Sequence, residues 1–195
     1  TKEKSLKKLR KMILKKFKRI DILINNAAID HIPKKKNHKF NNFKLSDWNV
    51  ELDVGLTGAF LCSQVFGAVM CKNQKGIILN VASDLSVIAP DQRIYSHLKF
   101  EKPITYSVIK HGIIGLTKYL ASLWAKENIR VNSISPGGIA NNQDKLFIKK
   151  VKKLIPMGRM ANNNEYIGLI KFLCSEESSY ITGQNLIADG GRTII

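Results

Sequence analysis

The sequence predicts a single α/β layer structure, a doubly wound parallel sheet with helices on both faces. Three observations carry that expectation. Short apolar runs alternate with longer stretches of helical periodicity, each apolar run ends in small or turn-forming polar residues, and no internal repeat or low-complexity tract breaks the rhythm.

The first helix is expected over about 3–19, where Leu6, Leu9, Ile13 and Phe17 recur at helical spacing among lysines. Asp21-Ile-Leu-Ile-Asn25 then reads as a strand buried on both faces. Asp30 to Lys44 is rich in Lys and Asn and reads as a loop, after which Ser46 is placed to cap a helix that continues to about Lys72. Gly76 to Ala82 is a second buried strand. Residues 84–103, with Pro90 and Pro103, are irregular. Helical spacing returns from Ile104 to Lys126 through Ile109, Ile113, Leu116, Leu120 and Leu123. Ile129 to Ile134 is a third strand, stopped by Pro136-Gly137-Gly138. Two helices are expected near 144–154 and 163–175, and a last strand over Asn185 to Ala188.

Composition narrows the function classes. An apolar share of 44% over 195 residues supports one ordinary globular core. No apolar run approaches the roughly 18 residues of a membrane span, and the N-terminus lacks the pattern of a secretion signal. Cys62, Cys71 and Cys174 are an odd set without Cys-x-x-Cys spacing. They read as free thiols of a reducing, cytoplasmic setting, with neither a disulfide framework nor a metal site. The net charge of +17 includes ten Lys and Arg between Lys2 and Arg19. With no nucleic-acid-reading motif and no interleaved aromatics, that excess reads as a solvated helix face.

In open parallel sheets, ligands bind beyond the carboxyl ends of the strands. Those positions carry Asn25-Asn26-Ala27-Ala28, Ser83-Asp84 and Pro136-Gly137-Gly138. The helix from Ile104 opens with Tyr106 and Lys110, one turn apart on one face. A tyrosine is normally a weak acid with a pKa of about 10. A neighbouring ammonium favours its phenolate and brings proton exchange towards neutral pH. Ser83 is positioned to hold a substrate oxygen against the phenol. Together the three suit proton movement at a carbonyl oxygen while hydride moves at carbon.

In this context the chain resembles the short-chain dehydrogenase/reductase family across nearly its whole length. The resemblance lies in Asp21-Ile-Leu-Ile-Asn-Asn-Ala-Ala28, Ile78-Leu-Asn-Val-Ala-Ser83, Tyr106-Ser-Val-Ile-Lys110, Arg130-Val-Asn-Ser-Ile-Ser-Pro-Gly137, and Thr182-Gly183-Gln184 through Asp189-Gly190-Gly191. It implies a three-layer Rossmann-type fold and NAD or NADP as cofactor. It further implies Tyr106 as general acid/base, Lys110 as the group that lowers its pKa and bonds the nicotinamide ribose, and Ser83 as the group that orients the substrate. Asn26, Ala27 and Ala28 would line the cofactor by main-chain contact. Pro136, Gly137 and Ile139 would shape the nicotinamide pocket.

Three departures from the family pattern stand out. The family's catalytic asparagine falls at Gly55, which has no side chain to hold the water through which the lysine exchanges protons. A slower enzyme or a rerouted proton path is expected. Ala28 replaces a glycine. No Gly-x-x-x-Gly-x-Gly occurs, so the first strands and their glycine-rich phosphate loop are expected to be missing, about 50–60 residues at roughly thirty per βαβ unit. On this reading, residues 1–195 are one partial domain that holds the catalytic site, and a truncated product is expected.

Ser83 and Tyr106 are 23 residues apart, and Asp84 to Tyr95 lies where a substrate loop would project. With Ile155-Pro-Met-Gly-Arg-Met160, this segment looks like a bacterial branch associated with surface-polysaccharide and flagellin-modification sugars. Asp91, Gln92 and Arg93 suit a polyhydroxylated or phosphorylated substrate, and Asp84 and Arg93 are expected to bind a small polar, sugar-derived one. Helices 46–72 and 104–126 are apolar on more than one face, at Phe60, Val65, Phe66, Val69, Ile113, Leu116, Tyr119 and Trp124. A homodimer or homotetramer through these helices is expected. The rival readings are a catalytically impaired fragment and a basic binding module.

Overall fold

A computed structural model describes residues 2–29 and 39–195. Most of the predicted Asp30–Lys44 loop lies outside the described residues. Helix α1 spans Glu3–Phe17, strand β1 Ile22–Asn25, and helix α2 Leu45–Leu52. One π turn, Asp53–Thr57, joins α2 without a break to α3, Gly58–Asn73. Strand β2 is Gly76–Val81, α4 is Ile104–Trp124 and β3 is Ile129–Pro136. Helices α5 (Lys145–Lys152) and α6 (Ile167–Leu173) precede β4, Asn185–Ala188.

Among the described residues the sheet has four parallel strands in the order β1-β2-β3-β4. Asn25 lies opposite Asn80, and Asn80 opposite Ser133, so the strands finish along one edge. Alternation sorts their side chains into two layers. Ile78, Ile129 and Val131 pack with Met70 of α3 and Leu120 and Ala121 of α4. Leu79 and Ile134 face the other way, onto Leu173 of α6. Helices α3 and α4 approach closely at Gly67, where a Cβ would stand 2.5 Å from the Trp124 ring.

Several details differ from the sequence expectation. Strand β1 is covered on one face only. Leu23 joins the α3/α4 core, whereas Ile22 and Ile24 remain 44% and 46% exposed, because α6 packs over β2, β3 and β4. The apolar stripe of α1 is likewise not buried. Ser46 does not cap α2. The helix begins at Leu45, with Lys44, two residues before Ser46, at the cap position and no side-chain cap. The continuous helix Leu45–Asn73 is long and apolar enough by length and composition to cross a membrane. Its inner residues Ala59, Ser63, Val65, Phe66 and Met70 are buried in the protein core. The three cysteines are free and half-buried, and burial raises each thiol's pKa.

Candidate active site

The first residues of α4 are brought against the end of β2. Thr105 is fully buried and donates a short hydrogen bond to the carboxylate of Glu51 on α2. One turn into α4, Lys110 is 7% exposed, and its Nζ donates to the Val81 carbonyl at 2.8 Å. The lysine is thereby pinned to the strand that carries Ser83 two residues later. Burial, and secondarily the charge of Lys102, lower the Lys110 pKa to about 8. Its Nζ lies 5.8 Å from the centre of the Tyr106 ring, and the Nζ of Lys102 lies 3.7 Å from the same centre.

Ser83 is buried at the start of a 3-10 turn, Asp84–Ser86. Its hydroxyl donates to Asp84 Oδ1 at 2.8 Å and accepts from the Leu85 N–H at 3.2 Å. Asp84, expected to contact substrate, is 3% exposed and its carboxylate is engaged within the protein. Its Oδ1 takes the Ser83 and Leu85 hydrogens, and its Oδ2 takes the guanidinium of buried Arg192 at 2.7 Å. A carboxylate so enclosed is a structural counter-ion. The Arg93 side chain is 88% exposed and forked onto Asp91 at 2.9 and 2.8 Å. A cleft of ≈ 390 Å³ is lined by Gln92, Lys102, Ser107 and His111 among others, while Tyr106 and Lys110 line a separate small cavity.

The remaining predicted residues follow the strand ends. Asn26, Ala27 and Ala28 are exposed after β1, and Asn25 aims this turn through its bonds to Ser63 at 3.1 Å and Asn80 at 2.8 Å. Pro136 at the end of β3, and Gly137 and Ile139 after it, are half-buried. Gly137 is required by close approach, since a Cβ there would stand 2.8 Å from the Asp189 Cα. The Tyr166 hydroxyl donates to the Gly137 carbonyl at 3.1 Å, and Ile139 bridges to Ala161.

A family model described as enoyl-(acyl carrier protein) reductase matches residues 1–193. A crystal structure of a short chain dehydrogenase from Leptospira borgpetersenii with bound NAD+ is 40% identical at a TM-score of 0.90, covering 98% of this chain and 72% of that one. An NAD-dependent glycerol dehydrogenase from Listeria innocua is 36% identical, covering 100% of this chain and 72% of its own length. A post-translational flagellin modification protein A from Campylobacter coli is 37% identical over 140 residues, 72% of this chain and 55% of that protein.

The chain belongs to the short-chain dehydrogenase/reductase family.

Short-chain dehydrogenases/reductases are NAD(P)-dependent oxidoreductases of CH–OH groups, and the donor set at the strand ends fits the nicotinamide-ribose half of such a cofactor. The Lys110 ammonium has three N–H bonds, of which one goes to Val81. Exposed main chain follows β1, and a close turn follows β3.

Gly55, expected at the family's asparagine position, sits inside the π turn. A Cβ at Gly55 would stand 2.8 Å from Ile109 Cγ2, so Ile109 fills the space that a side chain at 55 would need. A small cavity beside it is lined by Glu51, Gly55, Tyr106, Ile109 and Lys110, among others. Sequence reasoning missed Glu51, Lys102 and Arg192. Glu51 is one helical turn before Gly55, a spacing that was available as a signal. Arg192 is 108 residues from its partner Asp84, and no local pattern announces that pair.

Proposed function

We propose that this chain interconverts an alcohol and a carbonyl on a small polar, sugar-derived substrate, with Tyr106 as the acid/base. The observation that supports this most directly is the Lys110 ammonium, buried, tied to Val81 and set beside the Tyr106 ring. In reduction, the Tyr106 hydroxyl gives its proton to the substrate oxygen as the C–O bond becomes an alcohol. In oxidation, the phenolate takes that proton back. Lys110 supports the phenolate by its charge. Ser83 orients the substrate oxygen, for which its hydroxyl turns from Asp84 Oδ1. The nicotinamide of NAD or NADP supplies or accepts the hydride. Its ribose and ring would be held by Asn26, Ala27 and Ala28 through main chain, by Lys110, and by Pro136, Gly137 and Ile139.

A sugar-derived substrate is favoured by the cleft, where Gln92, Ser107 and His111 offer directional hydrogen bonds for hydroxyls. The likeness to a flagellin modification protein agrees with this, although it covers only part of both chains. A cytoplasmic location suits three free thiols. A homodimer or homotetramer is favoured by the exposure of Phe60 on α3 and of Tyr119 and Leu123 on α4.

The test is Tyr106→Phe, which keeps the ring and removes the transferable proton. Turnover with polyol and keto-sugar substrates should fall by at least roughly a thousandfold, with an unchanged circular dichroism spectrum. Retained turnover in a folded Tyr106→Phe variant would overturn the reading.

A further inference from the structure

Lys102 closes the segment between the 3-10 helix Gln92–Leu98 and α4. Its main chain is held by a two-bond amide clamp. The Lys102 N–H donates to Gln92 Oε1 at 2.9 Å, and Gln92 Nε2 donates to the Lys102 carbonyl at 3.1 Å. Pro103 follows with its restricted backbone, so the stem of Lys102 leaves from a fixed point. The side chain ends with Nζ 3.7 Å from the centre of the Tyr106 ring, well inside the range at which an ammonium is attracted to an aromatic face. Lys102 also lines the ≈ 390 Å³ cleft.

We propose that Lys102 is a positioning residue of the acid–base site, a second ammonium that acts through Tyr106 by favouring its phenolate from the cleft side. This rests on the reading of Tyr106 as the acid/base. A cation over the ring is attracted more strongly once the phenol loses its proton, because the negative charge spreads into the ring. Lys110 gives the same help from 5.8 Å. The two ammonium groups feel one another, as the lowering of the Lys110 pKa by Lys102 shows. Among the described residues, Glu51 from α2 lines the small cavity beside Tyr106, and Glu101 and His111 line the cleft that Lys102 reaches. Glu51 opposes the phenolate, while Asp84 beside Ser83 is neutralised by Arg192. Among the described residues the site therefore sets two cations against one buried carboxylate.

The experiment titrates the tyrosines of the apoprotein labelled with 13C at Cζ, with the Tyr106 signal assigned by its loss in Tyr106→Phe. Lys102→Gln should raise the Tyr106 midpoint by about one unit, a tenfold change in the phenolate equilibrium, and Lys102→Arg should restore it. The matching limb of the kcat/KM pH profile should move by the same amount. An unchanged midpoint in folded Lys102→Gln, or a rise that Lys102→Arg does not reverse, would overturn the proposal. Because the titration needs no turnover, it stands apart from the Tyr106→Phe activity test. Activity surviving in Tyr106→Phe would remove the functional reading and leave the electrostatic result intact.

Discussion

The guanidinium of Arg192 donates to the carboxylate of Asp84 across 2.7 Å, with both side chains buried, so the last turn of the chain is tied to the residue beside Ser83. The turn that delivers Arg192 is set by Asp189, whose carboxylate accepts from the Gly191 and Thr193 N–H groups at 2.9 and 2.7 Å. Arg192→Leu should leave Asp84 charged and enclosed without its partner, at a cost of about 3–5 kcal/mol. Urea unfolding would read that loss. Arg192→Leu combined with Asp84→Asn should recover part of it.

Lys110 gives stability a pH dependence of known sign. Its folded pKa, about 8, lies below the ordinary 10.5, so between those values the unfolded chain binds more protons than the folded one. Stability should therefore rise as pH increases from about 8 to 10.5, by up to roughly 3 kcal/mol from this group. Lys110→Met should abolish that rise. Denaturant midpoints of the two proteins across this window measure it.

Gly55→Asn restores the residue type of the family but not its room. The new Cβ would meet Ile109 Cγ2 at 2.8 Å and Cδ1 at 3.1 Å. A destabilisation of about 1–3 kcal/mol is expected. Adding Ile109→Ala should admit the asparagine side chain, recovering in overpacking what it loses in cavity, and a thermal melt of the single and double variants would show whether the clash is relieved.

Arg93 and Gln92 are neighbours with opposite expectations. Arg93→Ala removes a solvent-screened, exposed pair with Asp91 and should leave the denaturation midpoint and the KM for polyols unchanged. Gln92→Ala opens the cleft wall and breaks the clamp on Lys102, so KM should rise several-fold. Steady-state kinetics on both variants decides between them.

Much of the fold was legible because burial imposes a period on the sequence. Ile78 and Leu79 point to opposite layers, and both are apolar, which is why β2 reads as a doubly buried strand. The same reasoning misjudged β1, since an Ile-Leu-Ile run looks identical whether or not a helix covers its second face. Tyr106 and Lys110 were legible because helical spacing is local. The Asp84–Arg192 pair was not legible because its partners lie 108 residues apart, and the Lys102 contact depends on an amide clamp whose partner, Gln92, lies ten residues upstream. The π turn around Gly55 has no local signature beyond the glycine itself.

Asn25, Asn80 and Thr117 form one chain of hydrogen bonds from the end of β1 through β2 to α4, at 2.8 Å each. The aim of the turn after β1 is therefore set from the interior of the protein. Substitutions along the outer margin of the sheet can vary without redirecting Asn26 to Ala28, while a single amide exchanged for an aliphatic group at position 80 would cut that turn loose from the helix bearing Lys110.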